Sequence, residues 1–266
     1  MKKLFYLFMV ALCATMFTAC SDDDDKDPLN EEEEGGEGVI TMVVEEDYVY
    51  YLYVDSFKEG EIITIDWGDG TVEKFKTVLW YDGYEKYNEI HYWTDELEHK
   101  YSNSNPHLIT IKGNIKELTY EGRGLTSLDV SKCPELRELG IDCDLTSLDV
   151  SKNTKLMVLW CPSNNLASLD VSKNTKLTEL YCNDNELTSL DISKNKELIL
   201  LDCGDNNFSS SALNKIFYDL PKGRDVEYDE YEIAHSTIWI EDNPGTNTCD
   251  RSIAEKKGWD IVDRLY

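Results

Sequence analysis

The chain has 266 residues, with 53 Asp and Glu against 26 Lys and Arg, and a net charge of −27. That balance excludes nucleic acid as a ligand, because phosphate contacts need clustered Lys and Arg. The length allows one or two domains with real cores.

Residues 1–20, "MKKLFYLFMVALCATMFTAC", open with Lys2 and Lys3, followed by an apolar run from Leu4 to Phe17. The run is too short to span a membrane, so the stretch predicts a secretory signal. Thr18, Ala19 and Cys20 close it. This region resembles a bacterial lipobox, which implies that Cys20 is lipidated and anchors the chain to a membrane. Ordinary secretion with cleavage near Ala19 is the alternative.

Residues 21–38, "SDDDDKDPLNEEEEGGEG", hold ten acids, one lysine and one leucine. Too little apolar surface is present for folding, so this is expected to be a disordered tether. Ser21 followed by Asp22 to Asp25 resembles the export signal of Bacteroidetes surface lipoproteins. The resemblance implies anchoring in the outer membrane with the domains facing the cell exterior.

Residues 39–113 change to β-type runs: "VITMVV", "YVYYLYV", "EIITIDW", "VEKFKTVLW" and "HLITIKG". Gly, Asp, Asn and Pro separate them. "WGDG" at 67–70, with "HKY" at 99–101 before the last strand, resembles a polycystic-kidney-disease (PKD) type domain. That implies an immunoglobulin-like β-sandwich, with residues 81–98 as an insertion. Asp66 and Asp69 are candidate calcium ligands; the alternative is that they cap the turn by accepting backbone N–H bonds. No D-x-D-x-D-G loop accompanies them.

From 114 to 208 the chain repeats. "IKELTYEGRGL", "LRELGIDCDL", "LMVLWCPSNNL", "LTELYCNDNEL" and "LILLDCGDNNF" start 21, 20, 21 and 21 residues apart. The second half repeats as "TSLDVSK" or close variants. L-x-x-L-x-C-x-x-N-x-L is the leucine-rich-repeat pattern with Cys at its third apolar position. Each coil lays down a short strand in a parallel sheet and is stabilised by its neighbours. Cys161, Cys182 and Cys203 then point inward as buried free thiols acting as small hydrophobes. Stacked strands bring their Cα atoms within disulfide range, but the Cβ vectors run parallel. Cys143 takes the turn-Asn place of a coil one residue short, and nothing pairs Cys133 with Cys249. Asn153, Asn174 and Asn195 in "SKN" are expected at left-handed turn positions.

Residues 209–266 read as a capping region. "SSSALNKIFYDLP" predicts an amphipathic helix stopped by Pro221, with Ala212, Leu213, Ile216, Phe217 and Leu220 on one face. "STIWIEDNPG" predicts a further coil strand with Ile238 and Ile240 inward. "CDRSIAEKKGWDIV" predicts a short helix ended by Gly258 and a last strand. The fold class is therefore α+β, mostly β, with a sandwich followed by a short solenoid of about five coils.

Catalytic patterns are missing. The four histidines fit no zinc spacing, and there is no nucleophile elbow, Walker A loop or G-x-G-x-x-G. No pair of the many acids is marked as a glycosidase pair. An enzyme is not expected, and no cofactor beyond calcium at Asp66 and Asp69 is implied.

The alternation of side chains along a strand instead names a surface. If the repeat's Leu and Cys face the core, Glu138, Asp142, Val158, Trp160, Glu179, Tyr181, Asn183 and Asp202 face the concave side. Trp160 and Tyr181 fall on adjacent strands, expected to be exposed and flanked by acids. Exposed aromatics on a rigid surface anchor recognition; strand packing of aromatics is the alternative. Taken together, the chain resembles a Bacteroidetes leucine-rich-repeat surface lipoprotein, akin to BspA-like adhesins and internalin arrays. The resemblance implies a non-catalytic module binding another protein, such as a host matrix component or a surface protein. A carbohydrate-binding accessory lipoprotein of a glycan-uptake system, and a structural spacer, are the competing readings.

Overall fold

The structure, a computed structural model, describes residues 36–80, 91–93, 97–229 and 232–262. The signal and lipobox of residues 1–20, the tether up to residue 35 and most of the stretch 81–98 lie outside these residues.

The front segment forms β1 (Gly38–Val44), β2 (Tyr48–Ser56), β3 (Ile62–Asp66), β4 (Val72–Lys76), β5 (Val78–Trp80), β6 (His91–Trp93), β7 (Leu97–Lys100) and β8 (His107–Gly113). Period-two patterning places them. In β1, Ile40, Met42 and Val44 are buried while Val39, Thr41 and Val43 face out. The run 72–80, expected as one strand, is broken at Thr77. Its buried hydroxyl donates to the carbonyl of Lys58 (3.0 Å). The chain changes sheets there, β4 pairing with β3 and β5 with β6.

The repeat contributes β9 (Ile115–Glu121), β10 (Leu125–Lys132), β11 (Glu138–Asp142), β12 (Val158–Trp160), β13 (Glu179–Tyr181) and β14 (Leu200–Asp202). The C-terminal region adds α1 (Ser210–Asp219), β15 (Asp225–Asp229), β16 (Glu232–His235), β17 (Thr237–Trp239), α2 (Ser252–Glu255) and β18 (Asp260–Val262). Strands β9, β11, β12, β13, β14, β17 and β18 pair in parallel, a solenoid of about seven turns. Leu118, Leu139, Leu159, Leu180, Leu201 and Ile238 stand in register, all buried. Each such burial is worth about 1.5–3 kcal/mol.

The first coil belongs to two sheets at once. β9 is parallel to β11 on one side and antiparallel to β2 on the other. One 11-stranded sheet therefore runs from β18 to β5. β10, the return half of the same coil, pairs with β1 in a five-stranded sheet of order β10-β1-β8-β3-β4. One apolar cluster extends from Ile40 of β1 to Trp259 beside β18. The 113/114 position, where the sequence changes character, lies inside continuous structure.

Two asparagine ladders tie the coils together. At the turn after each strand, Asn164, Asn185, Asn206 and Asn243 donate to carbonyls of the preceding coil: Ile141, Cys161, Cys182 and Cys203, at 2.9–3.0 Å. Their side-chain oxygens accept the amides of Leu145, Leu166, Leu187 and Phe208. On the return side Asn174 donates to Val150 and Asn153, both at 2.9 Å. Asn195 donates in the same way to Val171 and Asn174. This corrects the expectation for "SKN": Asn153, Asn174 and Asn195 are fully buried hydrogen-bond donors, not left-handed residues. The left-handed positions are Ser163, Asp184, Asp205 and Asp242, each one residue before a turn Asn. The short second coil lacks this residue, and Cys143 stands where Asn would, its thiol donating to the Tyr120 carbonyl (3.9 Å).

The cap follows the sequence closely. Ser209 caps α1 by accepting the Ala212 amide, and Leu213, Ile216 and Phe217 are buried beneath it. Gly258 adopts φ +82°, ending the turn after α2 before β18 begins.

Candidate functional site

The face of the parallel sheet turned away from the core carries columns of stacked residues. One runs Glu117, Glu138, Val158, Glu179, Leu200, Thr237. Asp55 of β2 adds a further carboxylate beside Glu117. The next column runs Thr119, Gly140, Trp160, Tyr181, Asp202, Trp239. Tyr53 adjoins Thr119 at its far end. Asp142 and Asn183 lie beyond, the first half-buried and the second buried.

Trp160 and Tyr181 are register partners. Their surroundings differ from expectation, because Tyr181 is 7% exposed and Glu179 fully buried. The Tyr181 hydroxyl donates to Glu179 Oε2 (3.2 Å), supplying the hydrogen bond a buried carboxylate requires. Glu138, Val158 and Asp202 are buried as well. The reason is local packing. Tyr181, Ile199 and Leu200, with half-buried Trp160 and Trp239 against them, form an apolar cluster separate from the core. Met157 and Val158 form another. Trp239 and Tyr53 were not singled out from sequence. Trp239 could have been found, since placing Ile238 and Ile240 inward turns the residue between them outward.

The front turn is a second constellation. Asp66 Oδ1 accepts the Gly68 amide (3.0 Å) and Asp69 Oδ1 the Thr71 amide (2.9 Å). Asp69 Oδ2 pairs with His99 Nε2 at 2.9 Å, and this pairing foremost lowers the Asp69 pKa to about 2. The His99 ring stacks on Trp67, centroids 4.7 Å apart. Tyr101 donates to the Trp67 carbonyl (2.9 Å) and stacks on His107. Calcium needs converging oxygens. Here both Asp69 oxygens face donors and the neighbour is an imidazole, so the donor set fits a turn cap and does not fit calcium. Among the described residues no three His, Cys, Asp or Glu side chains come together as a metal site would require.

The thiols at the repeat period are fully buried. Cys161, Cys182 and Cys203 are in line with Ile141 and Ile240 of the flanking coils, and none is in a disulfide. Burial pushes Cys161 up to about 12, and Cys182 and Cys203 well above the ordinary thiol range. Thiolate chemistry is thereby suppressed.

No protein-family model matches the chain, and no curated protein does. Among solved structures, similarity is found to the functional domain of InlJ from Listeria monocytogenes, described as including a cysteine ladder. Identity is 26%, the match covers 57% of this chain and 30% of that one, and the TM-score is 0.43. An internalin, InlF, of the same organism follows at 19% identity, covering 52% and 37%, with a TM-score of 0.38. Internalin C2 follows at 14%, covering 57% and 81%, with a TM-score of 0.31. The chain thus spans about a third of the length of the first two. The leucine-rich-repeat assignment itself stands on the 21-residue coil, the parallel ladder and the asparagine turns.

Proposed function

We propose that this chain is a non-catalytic binding protein, displayed at a bacterial cell surface, that recognises another protein through the outer face of its parallel sheet. The observation that carries this reading is the cluster of Trp160, Tyr181, Ile199, Leu200 and Trp239. It is apolar and aromatic, separate from the core, and set on a sheet that the two asparagine ladders hold rigid. Buried acids line the adjacent column. Such surfaces use a few aromatic anchors ringed by polar groups. Trp160 and Trp239, both half-buried, are the side chains available to a partner. The glycan reading fits less well, because the rings pack with Ile199 and Leu200 and do not lie open side by side.

The finer assignments belong to the same proposal. The front sheets form a PKD-like sandwich, the repeat is of the Bacteroidetes surface-lipoprotein type, and Cys20 is lipidated, holding the chain in the outer membrane. Protease shaving of intact cells tests display; a chain left intact while known surface proteins are cleaved overturns it. The binding reading is tested by screening the chain against host-protein and glycan arrays, then repeating with Trp160→Ala and Trp239→Ala combined. Binding weakened at least about tenfold supports the face. Binding that survives unchanged in a folded double variant overturns it.

A further inference from the structure

The five-stranded sheet ends differently on its two sides. β10, at one end, is followed by the next coil, whose Asn153 donates to the Val130 carbonyl (3.0 Å). β4, at the other end, has no strand beyond it among the described residues. The Trp67 amide donates to the Thr71 carbonyl (3.0 Å) and the Thr77 amide to the Glu61 carbonyl (2.9 Å), one at each end of the β3–β4 ladder. Backbone direction alternates along a strand. Thr71, Glu73, Phe75 and Thr77 therefore bond inward to β3, and Val72, Lys74 and Lys76 turn their N–H and C=O groups to the open side.

The same three residues carry the outer side chains of this edge. Phe75 packs against the core and Glu73 accepts the Trp67 indole N–H (2.7 Å), so both belong to the inner face. Val72, Lys74 and Lys76 are exposed on the outer face. Neither lysine is in an ion pair. Asp66, opposite Val72, is engaged in its own turn, where it accepts the Gly68 amide (3.0 Å). Lys112 stands in one row with Thr64 and Lys74, two strands in and about 10 Å away, and adds a third positive charge to the face.

Such an edge selects its partner. Lysine on an edge strand keeps uncharged strands off. It keeps a second copy off as well. Antiparallel self-pairing of β4 sets Lys74 opposite Lys74, Lys74 opposite Lys76, or Glu73 opposite Glu73, and like charges facing each other destabilise a pair. A strand with carboxylates at alternate positions reverses the sign, since paired residues point to the same face. Lys74 and Lys76 are about 6.7 Å apart along β4, the rise of two residues on the added strand.

We propose that β4 is a docking edge for an extended acidic segment of a partner protein. The segment adds as a further antiparallel strand, with carboxylates opposite Lys76 and Lys74 and an apolar residue opposite Val72. Backbone bonds supply the affinity and the two lysines supply the choice. The edge belongs to a different sheet from Trp160 and Trp239, so it stands or falls independently of that face.

A capped peptide containing Glu-Val-Glu-Thr-Val, and the same peptide with Gln for Glu, are titrated into the intact chain. Calorimetry reads the affinity, and residue-resolved amide hydrogen exchange reads the place. The expected result is slowed exchange at the amides of Val72, Lys74 and Lys76 with the acidic peptide, and binding about tenfold weaker with the Gln peptide. The Lys74→Glu, Lys76→Glu variant should prefer the peptide with Lys for Glu. Val72→Pro removes one outward N–H but keeps both lysines and the bonds to β3, and should weaken binding at least about threefold. Equal binding of the acidic and Gln peptides, or no slowing at these amides, overturns the proposal. Unchanged binding by a folded Val72→Pro also overturns it, because the lysines would then act as a bare charged surface, as toward an anionic membrane. The charge-reversed variant leaves the backbone untouched and decides the matter if Val72→Pro does not fold. Slow exchange of the three amides in the intact chain alone shows an edge already covered, and overturns the proposal too.

Discussion

The first coil and the internal coils carry one pattern with different ties. Asn stands after the strand from the third coil on, at Asn164, Asn185 and Asn206, and on the return from the second coil on, at Asn153, Asn174 and Asn195; the second coil has Cys143 after its strand. Every one of these asparagines donates to backbone carbonyls of the coil before it. The first coil has no coil before it. β2 and β1 occupy those places. Its return-side residue is Cys133, whose thiol donates within its own coil to the Ile115 carbonyl (3.7 Å). Gly38 of β1 lies so close that a Cβ there would be 2.7 Å from Cys133 Sγ. On the return side, asparagine thus stands where a coil faces a coil. Where a coil faces an antiparallel strand, a small apolar residue serves, because the strands satisfy each other's backbone.

The largest test removes the first coil's partner. A chain beginning at 114 exposes the edges of β9 and β10 and the apolar side chains beneath β1, β2 and β8. Cooperative unfolding should be lost, with circular dichroism showing no sharp transition. If the fragment unfolds as sharply as the whole chain, the front sheets are not the cap of the solenoid. The next effect is at the ladder. Asn174→Ala removes one of the two hydrogen bonds at each of the buried carbonyls of Val150 and Asn153, which keep the amides of Asn153 and Leu156, at about 0.5–1.5 kcal/mol each. With the cavity left by the side chain, denaturant melts should show a loss of about 2–4 kcal/mol. Cys133→Ala, at the corresponding first-coil place, removes a weak thiol bond and little volume, and about 1 kcal/mol is expected. Equal losses would mean that the two places do the same job. Between them falls Gly38→Ala, whose methyl meets Cys133 directly and costs about 1–3 kcal/mol.

What the sequence disclosed follows the same division. Leu139, Leu159, Leu180 and Leu201, the inward cysteines, the turn asparagines and the α1 face of Leu213, Ile216 and Phe217 were all legible. Each is a relation inside one repeat or one helix. The sharing of β9 and β10 between two sheets was not legible, since periodicity says nothing about what a terminal repeat packs against. Asn153, Asn174 and Asn195 were seen, but their role depended on carbonyls about twenty residues away. On the outer sheet face, alternation identified which side chains point outward, including Trp160, Tyr181 and Glu179. It could not show that Tyr181 and Glu179 would be covered, because burial there is set by the size of neighbours on adjacent coils.

The smallest effect comes from a third ladder on the coils' exposed return side. Asp129, Asp149, Asp170 and Asp191 each accept the amide of the serine two residues on, at 2.9 Å. All four pKa values are lowered. The serine hydroxyl contributes most at Asp129 and Asp191, and the serine amide most at Asp149 and Asp170. Stacking opposes this, since Asp129 raises Asp149 and Asp149 raises Asp170. A carboxyl lowered by folding binds fewer protons in the folded than in the unfolded state between its two pKa values. Its stabilisation is therefore present above about pH 4 to 5 and is lost as pH falls toward the folded value. Solvent exposure keeps each contribution small. Replacing Asp149, Asp170 and Asp191 together by Asn keeps an oxygen for the serine amides and removes three of the four titrations. Asp69, lowered to about 2 by His99, still titrates in that variant, so an acid limb from the front sheets persists. The expected outcome is a variant whose stability, followed by denaturant melts between about pH 5 and 2, declines less steeply than that of the parent. An unchanged slope would show that the turn aspartates have the same pKa values in the folded and unfolded chain.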